Sequence, residues 1–219
     1  MLGFYNYTVW LTYLSFLSAC AGMAAALGSN NPVWAVGFLM FSGLCDAFDG
    51  KVAATKKNRT AVEKRYGIQI DSLSDIAAFG ILPSAIGLCI VNTYFDIENT
   101  LIKVLLYVIM LGYSLAALIR LAYFNVTEEE RQKEETGSRK HYTGLPVTSA
   151  ALVFPAAFLG RLVSDNVFIV VFFTFMLLSE FAFVSGIKVK KPGFKAIVAL
   201  TFFGLIEFAL VYVFIFCMR

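Results

Sequence analysis

Seven apolar segments dominate the chain, at roughly 8–27, 32–54, 66–91, 100–126, 145–163, 167–187 and 194–217. A helix needs about 20 apolar residues to cross the hydrocarbon core of a bilayer. It also satisfies its own backbone polar groups, which lipid cannot do. The pattern therefore predicts an all-α, polytopic transmembrane helix bundle of about seven spans in a single integral membrane domain, 1–219. The fifth and sixth segments are separated only by 161–166, so six or eight spans also fit. Composition agrees, with 59% hydrophobic and 15% charged residues, where a soluble domain carries about 45–50% and 25%. Cys20, Cys45, Cys89 and Cys217 all sit in apolar runs without metal-ligand spacing, and read as packing residues. The first segment has no cationic n-region or cleavage site, so a removable signal peptide is not expected.

The charges that remain are placed asymmetrically. The second loop carries Lys51, Lys56, Lys57, Arg59, Lys64 and Arg65; the fourth carries Arg131, Lys133, Arg139 and Lys140; the sixth carries Lys188, Lys190, Lys191 and Lys195. The first and fifth loops are short, and the third holds only acidic charges. By the positive-inside bias, the basic loops and the amino terminus face the cytoplasm. With seven spans the carboxyl terminus is external. No nucleic-acid partner is expected.

Against this background, "CDAFDGKVAATKKNRTAVEKRYGIQIDSLSD" (45–75) holds four aspartates. Asp46 and Asp49 are three apart near the end of the second segment. Asp71 and Asp75 are four apart near the start of the third. Both spacings put the two side chains on one helical face, and the basic loop between the segments sets both pairs at similar depth. Facing helices would gather all four. Each aspartate costs about 2.5–3.5 kcal/mol at the centre of a membrane helix and less near the interface. Close carboxylates also repel one another unless protons or cations neutralise them. Two divalent cations would balance four carboxylates, and all-oxygen ligands suit Mg or Mn rather than zinc. A paired-metal site of this kind serves phosphoryl chemistry elsewhere. The simpler readings are ion pairs with loop lysines, or a lining for a cation pathway.

The order Asp46-x-x-Asp49-Gly50-x-x-Ala53 … Gly67-x-x-x-Asp71-x-x-x-Asp75 resembles the signature of the CDP-alcohol phosphatidyltransferase family. The resemblance implies a two-metal membrane enzyme that moves a phosphatidyl group from a CDP-linked lipid to an alcohol and releases CMP. It implies metal ligation by Asp46, Asp49, Asp71 and Asp75, with Asp75 alternatively the base that deprotonates the acceptor. It places the CDP-lipid against Asp46, Gly50, Ala53 and Gly67, small residues that allow close backbone approach, with Lys51 beside them. It also implies a homodimer. Two departures stand out: Ala54 occupies a position where the family carries Arg, and the spacer to Gly67 is a few residues longer. Lys51, Lys56 or Lys57 could replace some of that charge; otherwise a catalytically weakened scaffold follows.

Further along, "LIRLAYFNV" (118–126), "YTGLPVTSAALVFP" (142–155), and "DSLSD" followed by "FGILP" (79–83) are similar to the phosphatidylserine synthase branch of that family. The expected partners are then CDP-diacylglycerol, L-serine and membrane lipid, in the cell membrane of a prokaryote. Arg120 could hold the serine carboxylate bidentately, or simply snorkel to the interface. Arg139 and Lys140 are further candidates for serine or phosphate. The rival readings are the same chemistry with glycerol 3-phosphate or an inositol phosphate as acceptor, and a non-enzymatic cation-binding membrane protein.

Overall fold

The computed structural model describes residues 3–94, 99–134, 141–191 and 193–217. A short 3-10 turn, Tyr7–Val9, leads into α1 (Trp10–Gly28). Next comes α2 (Pro32–Ala54), which starts where local chemistry favours a start. The Asn31 side chain accepts from the Trp34 N–H at 3.2 Å, and Pro32 occupies the first turn, where a missing N–H costs nothing. In α3 (Ala61–Asp75) the start is a capping box: Thr60 accepts from the Glu63 backbone while Glu63 accepts from the Thr60 backbone. A π-helical turn, Ile76–Ile81, joins α3 to α4 (Leu82–Tyr94), so 61–94 forms one rod. Beyond it lie α5 (Thr100–Glu134), α6 (Ala150–Phe158), α7 (Asp165–Val184) and α8 (Phe194–Cys217).

Six helical stretches among the described residues are long and apolar enough to cross a membrane, and a seventh, Val147–Leu162, is shorter. An all-α polytopic membrane bundle is thus what the chain builds. The short stretch is the fifth apolar segment. Pro155 lies inside α6, and 3-10 turns at Val147–Ser149 and Leu159–Leu162 flank it. The fourth segment overruns its expected end at 126. The polar run after Val126 continues α5 as helix, with Arg131 and Glu128 paired at 2.6 Å one turn apart.

Two kinds of packing hold the bundle. Along α1, a stripe of small residues (Thr12, Ser15, Ser18, Ala19, Gly22, Ala26) is buried. The seam with α2 is stitched by hydroxyls: Ser42 donates to the Ser15 carbonyl at 3.0 Å, Ser15 to the Ser42 carbonyl at 3.3 Å, and Ser18 to the Phe38 carbonyl at 2.8 Å. Membrane helices associate through such small, hydrogen-bonding surfaces because lipid supplies no hydrophobic drive. The other half is aromatic, with Phe154 against Phe172 (ring centroids 4.9 Å), Phe158 against Phe168 (4.7 Å), and Tyr113 edge-on to Phe154 (5.5 Å).

The π turn has a local cause. Pro83 has no N–H to return to the Phe79 carbonyl one turn back. Instead the Tyr113 hydroxyl donates to that carbonyl at 2.7 Å, and Ser114 donates to the Gly80 carbonyl at 2.9 Å. Side chains of α5 thus satisfy backbone oxygens at the kink, as burial in lipid requires.

Two of the basic loops meet. The fourth and sixth pair as a two-stranded antiparallel sheet, β1 (His141–Thr143) with β2 (Lys188–Lys190). This small sheet was not anticipated in an all-helical chain. Gly144 follows β1 at φ +77°, and its N–H donates to the Ile187 carbonyl at 2.8 Å. A side chain here would meet the Phe183 carbonyl as well as the left-handed backbone, so glycine is required.

Candidate active site

The Thr60 cap and the turn at 55–60 send α3 back to face α2, with α1 packed against both, and the two aspartate pairs converge between them. One carboxylate oxygen from each of Asp46, Asp49 and Asp71 falls within 4.8 Å of the others. Asp75 stands outside this triad, one turn deeper along α3, with its carboxyl beside that of Asp46. The carboxyls of Asp49 and Asp71 are likewise neighbours. Asp49 and Asp75 are buried, at 9% and 8% exposure, and Asp46 and Asp71 are half-buried.

Other elements complete the site. From α1, the Thr12 hydroxyl donates to Asp49 Oδ2 at 2.9 Å, and Ser74 holds the Thr12 carbonyl at 3.2 Å. From α5 comes Arg120, whose residue is only 7% exposed; its guanidinium lies 5.0 Å from the Phe124 ring centroid and within electrostatic reach of Asp46. A snorkelling arginine would keep its head in water, and this one does not. One turn beyond, Asn125 exchanges hydrogen bonds with Ser72 at 2.7 and 3.1 Å, tying α5 to the helix that carries Asp71 and Asp75.

The donor set fits a hard divalent cation. All three clustered donors are carboxylate oxygens, and Asp71 Oδ1 is buried with no hydrogen-bond partner among the described residues. A buried oxygen left this way is costly unless something electropositive meets it.

The small residues are less uniform than their shared signature suggests. Gly50 is exposed, and a Cβ there would meet nothing within 4 Å, so the surface beside Asp49 is open. Ala53 is half-buried one turn further on. Gly67 is covered: the Arg59 guanidinium lies over it, with Nη2 2.6 Å from where a Cβ would be. Among the loop cations, Lys51 stacks over the Phe48 ring at 5.1 Å, and Lys56 pairs with Glu63 at 2.6 Å. Arg139 and Lys140 lie outside the described residues. Sequence reasoning did not single out Thr12, Asn125 or the position of Arg59. The legible trace of Thr12 was its place at the head of the small polar stripe of α1.

A membrane-embedded cluster of acidic oxygens beside a buried guanidinium is suited to handling a phosphorylated, cation-bound substrate. The chain belongs to the CDP-alcohol phosphatidyltransferase family, whose model matches residues 5–184. Among its relatives, the CDP-diacylglycerol–serine O-phosphatidyltransferase of Saccharomyces cerevisiae is 37% identical over 136 residues, 59% of this chain and 44% of that protein. The archaetidylserine synthase of Methanothermobacter thermautotrophicus is 30% identical over 156 residues, 69% of this chain and 58% of that protein. A CDP-diacylglycerol–serine O-phosphatidyltransferase of Helicobacter pylori is 31% identical over 121 residues, 55% of this chain and 44% of that protein. The chain spans about half the length of the curated relatives it matches.

Proposed function

We propose that this protein transfers a phosphatidyl group from CDP-diacylglycerol to L-serine, yielding phosphatidylserine and CMP, at a site facing the cytoplasm of a prokaryotic cell. The observation that carries the reading is the convergence of both aspartate pairs with Arg120, from three helices, in a chain of this family. The names of its relatives support serine as the acceptor, since all three reported above contain it. Those names differ in the lipid, and the two that print CDP-diacylglycerol support the donor named here. The cytoplasmic orientation rests on the basic second, fourth and sixth loops. A homodimer is the assembly the family resemblance implies, and light scattering of the detergent-solubilised protein would test it.

In this mechanism Asp46, Asp49, Asp71 and Asp75 would hold two divalent cations, Mg or Mn, which when bound would offset the charge of the pyrophosphate. The chain's own groups do the rest. Arg120 pairs with the serine carboxylate and orients the hydroxyl toward the lipid-side phosphorus. Asp75, deepest of the four, takes the hydroxyl proton. A bond forms between the serine oxygen and that phosphorus, and the bond from phosphorus to the bridging oxygen breaks, so that CMP leaves with the electron pair. Positioning and electrostatic stabilisation supply most of the acceleration in such transfers. The open surface at Gly50 leaves room for the nucleotide.

The experiment that separates acceptors is mass spectrometry of the lipid product. Purified protein in detergent would be given CDP-diacylglycerol, Mn²⁺ and, in turn, L-serine, glycerol 3-phosphate and inositol phosphate. Phosphatidylserine alone is expected. A phosphatidylglycerol phosphate or inositol lipid instead would discard serine while keeping the chemistry.

A further inference from the structure

Glu63, Gly67, Asp71 and Asp75 follow one another at intervals of four down one side of α3. Three carry carboxylates and the fourth, Gly67, is bare. The space over Gly67 belongs to Arg59, which arrives from the turn before the helix. Its guanidinium therefore sits on the Asp71 side of α3, one turn, or about 6 Å of rise, nearer the basic end.

Its partners satisfy it only in part: the Glu63 carboxylate lies within electrostatic reach, but no hydrogen bond joins the two side chains among the described residues. Nη2 reaches the Glu63 carbonyl only at 3.4 Å, and Nε is buried with no hydrogen-bond partner among the described residues. The acid in the same turn is already engaged: Glu63 accepts from Lys56 at 2.6 Å, from Asn6 at 3.1 Å and from the Thr60 backbone at 2.9 Å. A buried guanidinium donor without an acceptor is expensive, and its flat fork matches phosphate oxygens in a bidentate way that a lysine cannot. The two cations would meet only some of the oxygens of an incoming pyrophosphate, which leaves others to a cationic side chain beside them. Ala54, in the last turn of α2, brings no charge to that task.

We propose that Arg59 is the donor-phosphate residue of this chain, gripping the pyrophosphate of the CDP-linked lipid over Gly67. This rests on the function proposed above. It makes Arg59 a substrate-binding group rather than one more loop cation, and it assigns Gly67 the task of seating that guanidinium one helical turn before Asp71.

The test is calorimetric binding of CDP and of CMP to the full-length protein in detergent with Mg²⁺, alongside steady-state kinetics. Arg59→Ala is expected to weaken CDP at least tenfold, about 1.4 kcal/mol, and CMP by clearly less, because CMP lacks the second phosphate. KM for CDP-diacylglycerol should rise while KM for serine holds. Arg59→Lys should fall between, exposed Lys64→Ala should bind as wild type, and Ala54→Arg placed in the Arg59→Ala background should recover CDP affinity. Equal losses for CDP and CMP, or none, in an Arg59→Ala protein that melts like wild type would overturn the assignment. Absence of CDP binding by the wild type would overturn it too. Normal CDP discrimination without serine turnover would instead strike at the acceptor reading and leave Arg59 standing.

Discussion

The membrane-embedded part of this protein contains two very different settings for buried acids. Between α2 and α3, four aspartates share neighbours: Thr12 from α1, Arg120 from α5 and one another. In α8, Glu207 is 2% exposed and neither carboxyl oxygen has a hydrogen-bond partner among the described residues. It lines a 440 Å³ apolar cleft between α6, α7 and α8, with Leu152, Phe175 and Phe203 around it. Both are intramembrane carboxyls, which by themselves suggest function. What sets them apart is convergence. The aspartates receive a hydroxyl and a guanidinium from helices distant in sequence, whereas Glu207 sits in a mostly apolar cleft and is met by no hydrogen-bonding group among the described residues. α8 also lies beyond residues 5–184, the stretch the family model matches. A carboxyl marks a working site when other elements are built to meet it.

Several substitutions would break or sharpen that contrast. The largest effect belongs to the cluster itself. Asp71→Asn should weaken Mn²⁺ binding, followed by electron paramagnetic resonance, by more than about 100-fold, since even supporting residues are worth 10–100-fold. Glu207→Gln should leave it unchanged; comparable losses in both would dissolve the distinction. Next comes the support from α1. Thr12→Val keeps the shape but removes the donor to Asp49, and should lower Mn²⁺ affinity about tenfold. Unchanged affinity would make that hydrogen bond incidental. Away from the site, Tyr113→Phe strands the Phe79 carbonyl at the π turn and should cost about 1–3 kcal/mol, read as a lower melting temperature in micelles. The smallest effect carries the opposite sign. Glu207→Leu replaces an unmet polar group with an apolar one and should raise stability by about 1 kcal/mol. A lower melting point would mean that Glu207 has a partner after all.

The course of the chain was readable where physics acts locally. Apolar length found the membrane segments, and the three- and four-residue spacings placed the aspartates on shared faces. Other features depended on partners far away in sequence. The end of α5 was obscured because "TEEER" reads as loop polarity, yet Arg131 and Glu128 pair along a continuing helix. The π turn depends on Tyr113 and Ser114 arriving from another helix, and a Pro alone does not announce it. Thr12 looked like any hydroxyl in a membrane helix until Asp49 was beside it. Arg59 was one cation among several in a basic loop; only the fold shows Glu63 occupied and the space over Gly67 filled. The division of the aspartates into a triad and a deeper Asp75 was equally out of reach, because spacing fixes a face and not a depth between helices.

The most direct test of the central claim is CMP release from CDP-diacylglycerol by purified protein with Mn²⁺, with and without L-serine. Wild type, Asp75→Asn and Glu207→Gln would be compared side by side. The account predicts serine-dependent release that falls by about 10²–10⁴ in Asp75→Asn, the usual contribution of a general base, and stays within about twofold in Glu207→Gln. Serine-dependent release that survives Asp75→Asn, or that vanishes with Glu207→Gln in a protein that still melts normally, would contradict it.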